Sequence, residues 1–113
     1  MKHIDQVNRD NDVDGFIVQL PLPEHISVER ITEKIRPDKD VDGFTNRNFG
    51  SIVSKNPLLL PATPYGVMEL LKRYHVPTEG QNCVVVGASR LVGAPLAMML
   101  VEEGRATVTV CHK

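Results

Sequence analysis

The stretch "NCVVVGASRLVGAPLAMMLVEEGRATVTVC" (residues 82–111) changes its periodicity twice. "NCVVVG" (82–87) is a short, β-branched apolar run and predicts a buried strand. "APLAMMLVEEG" (94–104) predicts a helix that Gly104 terminates, and "ATVTVC" (106–111) predicts a second strand. Strand, helix and strand in that order form one β-α-β unit with parallel strands, which places the chain in the α/β class.

Between the first strand and the helix lies "GASRLVG" (87–93). A glycine-rich strand-to-helix turn aims backbone N–H groups and the positive end of a helix at one place, an anion site commonly used for the pyrophosphate of a dinucleotide. The match to G-x-G-x-x-G is imperfect: Ser89 stands where the second Gly belongs and Gly93 comes one residue late. The same turn is equally compatible with a purely structural role. The second strand ends in "CHK", so His112 and Lys113 stand where an NAD-preferring site carries an acid. A basic pair without a carboxylate tolerates the extra phosphate of NADP, although Lys113 is also the kind of residue that lies solvated at a chain end.

Upstream, "TPYGVMELLKRYHV" (63–76) predicts a helix with Thr63 as N-cap and Pro64 at its first position. Val67, Leu70, Leu71 and Tyr74 recur at helical spacing. Residues 45–62 read as loop, with a short extended piece at Ser51–Val53. A helix is expected at about 28–36: Ser27 is a plausible N-cap, Ile26 and Ile31 stand at the two positions of a hydrophobic staple, and Pro37 stops the helix. "GFIVQL" (15–20) predicts a buried parallel strand ended by Pro21 and Pro23.

Two acidic heptads flank this region, "DNDVDGF" (10–16) and "DKDVDGF" (38–44). Each begins like a calcium loop, with carboxylates at positions one, three and five and Gly at six. The bidentate Glu required at position twelve is replaced by Pro21 in one copy and Phe49 in the other, so the calcium reading fails. One copy leads into a predicted strand and the other leaves a helix, which disfavours an internal repeat. They read as two turns in different contexts, with Asp14 a turn residue only.

The 113 residues carry 42% hydrophobic and 24% charged side chains with a formal charge of −1, the composition of a globular domain. No basic block points to nucleic acid or an anionic membrane surface, and no apolar run approaches a membrane span. The polar start, "MKHIDQVNRDND", is not a signal peptide. Cys83 and Cys111 read as buried free thiols, and the four histidines are scattered singly without metal-ligand spacing.

Three segments together carry a resemblance. "VDGFIVQLPLP" (13–23), "PDKDVDGFTNRNFG" (37–50) and "VVVGASRLVGAP" (84–95) resemble the signatures of the methylenetetrahydrofolate dehydrogenase/cyclohydrolases, and "LLLPATPYGVMELL" and "ATVTVCH" resemble that family in order and spacing. The resemblance spans essentially the whole chain. It implies the end of an N-terminal folate (catalytic) domain in residues 1–62, followed in 63–113 by an interdomain helix and the first β-α-β of a Rossmann-like NAD(P)-binding domain. It further implies oxidation of methylenetetrahydrofolate to the methenyl form with NADP, or NAD, and hydrolysis of that form to formyltetrahydrofolate. Family members are cytoplasmic or mitochondrial homodimers. Gln19 lines up with the active-site Gln, with Leu20 beside it at the substrate, and Asp42 lines up with the pterin-anchoring Asp. Gly87, Ala88, Ser89, Arg90 and Leu91 fall on the cofactor turn, Thr63 near the nicotinamide, and His112 at the end of the second strand.

The residues suit those roles. A Gln amide both donates and accepts, as orientation of a catalytic group or a water requires. An Asp carboxylate accepts two hydrogen bonds from the amino-pyrimidine edge of a pterin, and it equally suits an Asx turn before Gly43. The family's catalytic Lys belongs to a Tyr-x-x-x-Lys motif. None exists here, since Glu69 follows Tyr65 by four residues and Thr78 follows Tyr74. The chain therefore reads as an internal segment of such an enzyme, with a catalytically silent fragment or interaction module as the alternative. Two further departures are Ala62 in place of the usual Cys, and Ala88 where many members carry an Arg for the NADP phosphate.

Overall fold

In the computed structural model, residues 2–112 are described. They form α1 (Lys2–Arg9), α2 (Val28–Lys34), α3 (Asn46–Val53), α4 (Ala62–Arg73), β1 (Asn82–Val86), α5 (Gly93–Glu102) and β2 (Thr107–Cys111). β1 and β2 pair in parallel, in register from Asn82 opposite Thr107 to Val86 opposite Cys111, with α5 as the connection. The expected β-α-β unit is therefore present. No helix among the described residues is long and apolar enough to cross a membrane.

Helix α5 is the centre of the larger core. Its sequence is apolar nearly all round, which suits a helix covered on several sides. Both strands, α3 and α4 all pack against it. Ala97, Met99 and Leu100 are buried there with Val85, Met68 and Ile52. The approach of α5 to the sheet is set by Gly93, where a Cβ would lie 1.7 Å from the Gly87 carbonyl oxygen. After α5 the chain reverses through Gly104 N–H to Met99 O (3.0 Å) and Ala106 N–H to Leu100 O (3.0 Å). The left-handed residue of that reversal is Arg105 (φ 52°), not Gly104. Gly104 is needed for a different reason: a Cβ there would meet Leu100 O at 2.6 Å.

A smaller core gathers Ile31, Ile35 and Phe44, with Ile26, Val28 and Leu91 packed on it. The N-cap of α2 is as expected, with Ser27 Oγ accepting from Arg30 N–H at 3.2 Å, and the helix gives way at Ile35 two residues before Pro37. Helix α1, which nothing in its polar sequence announced, is held by this region. Asn8 Nδ2 donates to Lys34 O (2.7 Å) and Asn8 Oδ1 accepts from Arg36 N–H (3.1 Å). The buried Lys39 ammonium donates to the carbonyls of Val7 and Asp10 at the helix's C-terminal end.

Several expectations need correction. "GFIVQL" is not a buried strand: only Phe16 makes a ladder contact, parallel to Asp40, and Ile17 is 56% exposed. Among the described residues no other segment pairs with it, so the apolar run has no sheet to join. Residues 46–53 are a helix rather than loop, because Thr45 Oγ1 caps Asn48 N–H (3.2 Å) and Ile52 reaches the larger core. Helix α4 begins at Ala62 with Pro61 as its cap residue, so Thr63 and Pro64 are its second and third positions. Pro64 still costs no intrahelical bond there, since N–H groups of the first turn have no helical acceptor. Strand β1 is covered on one face only, with Val84 65% and Val86 77% exposed. Cys83 and Cys111 are free but half-buried.

Two outcomes follow. Gly93→Ala is expected to cost about 3 kcal/mol or more, because backbone rather than a flexible side chain occupies the space; a urea titration measures it. The second concerns acid. The hydrogen bond from Lys34 holds the Asp5 carboxyl below its ordinary value, and that from Arg36 does the same to Asp38. Carboxyls lowered on folding stabilise fully above the unfolded pKa of ~3.9, and that contribution is lost as pH falls through the lowered folded values. Asp5→Asn with Asp38→Asn should therefore flatten the acid limb of a melting-temperature profile between about pH 5 and 2.

Candidate functional site

The second acidic heptad is built around Asp40, which is 1% exposed. Its Oδ1 accepts from Phe44 N–H (2.9 Å), and its Oδ2 from Thr45 N–H (2.7 Å) and Asn48 Nδ2 (2.9 Å). Asn48, 0% exposed, also donates to Pro37 O at 2.8 Å. The carboxylate thus folds residues 40–48 back on themselves and joins the turn to the first turn of α3. Gly43 completes the reversal at φ 65°, so close to the start of α4 that a Cβ would lie 2.8 Å from the Pro61 ring and nitrogen. Asp42 stands at the tip of this turn, half-buried, and no donor among the described residues engages its carboxylate. One aspartate is consumed in holding the turn; the other is presented by it.

The first heptad lies alongside the second. Phe16 N–H donates to Lys39 O (2.9 Å) within the parallel contact of Phe16 with Asp40. A Cβ on Gly15 would meet Val41 Cγ1 at 2.3 Å. Because the two segments run the same way, Gln19 and Asp42 leave the contact from the same end. Gln19 is exposed and its Nε2 donates to Leu20 O at 3.0 Å, while the Leu20 side chain packs on the smaller core.

The glycine-rich turn at residues 87–93 divides into two parts. Gly87, Ala88 and Ser89, with Gly93 and His112, line a cavity of about 910 Å³ whose apolar wall includes Leu71 of α4. Gly87 adopts φ 108° with open space where a Cβ would be, which leaves its backbone approachable. The end of α5, in contrast, is closed: Ser89 Oγ accepts from Gly93 N–H (3.2 Å), Ser89 O from Ala94 N–H (2.9 Å), and Pro95 has no N–H. The expected open helix end is therefore spent within the turn. Within the turn, the amides of Ala88 to Val92 have no acceptor among the described residues, so the loop rather than the helix end has donors to offer an anion. Ser89 in place of the second Gly has the same explanation, since its hydroxyl does the capping. Arg90 and Leu91 turn the other way. Arg90 Nη2 donates to Asn46 Oδ1 (2.5 Å), and the guanidinium lies 5.6 Å from the Phe44 ring centre. Leu91 joins the Ile31–Ile35–Phe44 core. Thr63 is exposed on α4, outside the lining of the cavity, and Lys113 lies outside the described residues.

Residues 1–42 match the tetrahydrofolate dehydrogenase/cyclohydrolase catalytic domain, and residues 61–113 match the NAD(P)-binding domain of the same family. The chain belongs to the tetrahydrofolate dehydrogenase/cyclohydrolase family. It is 50% identical over 112 residues to the bifunctional protein FolD of Paraburkholderia phytofirmans, covering 99% of this chain and 39% of that protein. A methylenetetrahydrofolate dehydrogenase from the silkworm, Bombyx mori, superposes with a TM-score of 0.94 at 43% identity, over 99% of this chain and 41% of its own. The Trypanosoma brucei dehydrogenase-cyclohydrolase, solved with NADP and an inhibitor, does so with a TM-score of 0.91 at 37% identity, over 98% of this chain and 38% of its own. The chain thus spans about two-fifths of the length of the relatives it matches.

Sequence reasoning missed Asp40 and Asn48, which shape the turn without standing at its tip. The spacing Asp40–Phe44–Thr45–Asn48 carried a signal, an acid placed before a capped helix, but Asp42 drew the attention. Asn48→Ala should cost about 2–3 kcal/mol, because it strips a donor from a buried carboxylate. Exposed Asn56→Ala should stay within about 0.5 kcal/mol. Paired denaturant titrations distinguish them.

Proposed function

We propose that this chain binds a tetrahydrofolate derivative at the Gln19–Asp42 end and a nicotinamide dinucleotide, NADP with NAD as the alternative, at the Gly87–Ser89 turn. On this reading it takes part in the family reaction: methylenetetrahydrofolate is oxidised to the methenyl form, which water then hydrolyses to formyltetrahydrofolate. What supports it is the parallel contact of Phe16 with Asp40, beyond which Gln19 follows on one segment and Asp42, its carboxylate unengaged, on the other. The residues also suit a dinucleotide: Gly87 leaves its backbone open, and the loop amides of Ala88 to Val92 are free to meet a pyrophosphate. When bound, the dinucleotide supplies the hydride acceptor.

Each residue's part then follows from its chemistry. Asp42 accepts from the amino-pyrimidine edge of the pterin, and Gln19, with Leu20 beside it, orients the reacting centre or the attacking water. Ala88, Ser89 and His112 line the dinucleotide end, while Leu91 supports the loop from the core behind it and Thr63 stays on α4 outside the cavity. His112 in place of an acid favours NADP. Residues 1–62 and 63–113 are the folate and nucleotide portions, with α3 joining their cores. The homodimeric assembly and the cytoplasmic or mitochondrial setting of the family belong to the same proposal.

A second reading has an observation of its own. The 113 residues contain no Tyr-x-x-x-Lys, and neither Gln19 nor Asp42 is suited to managing the charge that develops at the reacting carbon. That favours binding without turnover. Calorimetric titration of the chain with NADP and with tetrahydrofolate, beside absorbance of NADPH formed from methylenetetrahydrofolate, tests both. Binding of both ligands is expected. Asp42→Ala and Gln19→Ala should each weaken folate binding about tenfold or more, and leave NADP binding within about threefold, for lost charged and neutral hydrogen bonds. Binding without NADPH selects the second reading, and unchanged folate affinity in both variants rejects the folate site.

A further inference from the structure

Arg90 sits in the nucleotide turn yet makes its contacts in the other half of the chain. Its Nη2 reaches Asn46 Oδ1 at 2.5 Å and Phe44 O at 3.4 Å, and its Cζ lies over the Phe44 ring, 5.6 Å from the ring centre. Leu91, the next residue, is packed against the core that contains Phe44. On the receiving side, Phe44 N–H and Thr45 N–H are fastened to the Asp40 carboxylate, the anchor of the turn that presents Asp42. On the giving side, Ser89 caps α5 through Gly93 and Ala94. A short rigid path therefore runs from the cavity-lining residue Ser89, through Arg90 and Phe44, to Asp40 and its turn.

We propose that Arg90 is a positioning residue that locks the nucleotide turn to the Asp42 turn and so couples binding at the two places. The coupling rests on the functional reading above; the lock does not. A guanidinium suits this task because its planar fork can hold a carbonyl, an amide oxygen and an aromatic face at once, which an ammonium cannot. The arrangement also explains why a basic residue in a phosphate-binding loop is directed away from the cavity. Its charge is used to set the spacing of the two turns.

The test has a ligand-free arm and a ligand arm, both on the full 113-residue chain. In the first, amide hydrogen exchange is compared for the natural sequence, Arg90→Ala, Arg90→Lys and Asn46→Ala. Arg90→Ala should speed exchange about tenfold at Phe44 and Thr45, and equally at Gly93 and Ala94, for loss of a charge-assisted contact. Arg90→Lys should restore only part of the protection, and Asn46→Ala should add little to Arg90→Ala in the double variant. Faster exchange confined to residues 93–94, or additive effects in the double variant, overturns the lock.

In the second arm, NADP affinity is measured with and without saturating tetrahydrofolate. The natural chain should show about fivefold or greater mutual tightening, and Arg90→Ala should reduce that factor to about one. Loss of NADP affinity alone, with the mutual effect intact, would instead make Arg90 a direct phosphate ligand and overturn the proposal. If neither ligand binds the natural chain, the functional reading falls and the coupling with it, while the exchange arm still decides the lock.

Discussion

The Asp40 carboxylate accepts three hydrogen bonds in a place almost without solvent, and much of the smaller half of the molecule is arranged to make that possible. A buried carboxylate costs several kcal/mol unless it is well partnered. Two of its donors are backbone N–H groups of the segment entering α3, and the third is Asn48 one turn further on. The same bonds fix where Phe44 and Thr45 lie, and hence where Thr45 can cap α3 and where Phe44 can receive Arg90. Asp42 is held at the tip as a by-product of this arrangement, which leaves its own carboxylate uncommitted.

The larger half depends on close approach instead. A helix that is apolar on several faces can be surrounded, and α5 is surrounded by strands on one side and by α3 and α4 on the other. Gly93 lets its first turn come within contact distance of the end of β1. The loop between them is consequently short of room, and its polar groups divide their work. Ser89 satisfies the helix, while the amides of residues 88–92 stay free. Placing α3 against α5 also gives the two cores a common wall, since Phe44 and Ile52 stand near the two ends of one short segment.

The parts of this fold that were legible in the sequence are those whose signals are local. The β-α-β unit and the helix before Tyr74 declare themselves by period, and the helix after Ser27 by its cap as well. Helix α3 was not legible because Gly50 and three asparagines or serines dilute its pattern, and its Thr45 cap lies beside a Gly-containing turn. The strand expected at "GFIVQL" failed for the opposite reason: an apolar run states that a segment can pair, not that a partner is there. In the site, Gln19 and Asp42 were visible as motif residues. The side-by-side placement of the two heptads was not, because parallel contact between segments 24 residues apart (Phe16 and Asp40) leaves no periodic trace. Nor could any local rule tell that Arg90 would leave its own loop.

Helix α1 depends on a distant segment for its shape. Eight residues of polar sequence are too short to hold a helix in water alone. Its partners are the carbonyl of Lys34, the ammonium groups of Lys34 and Lys39, and the amide and guanidinium of Arg36. All of them lie in residues 34–39. Helix α1 is therefore ordered by tertiary contacts, and removing residues 34–39 would leave it without partners. A helix fastened only by a segment about thirty residues away keeps its shape only as long as that segment stays folded beside it.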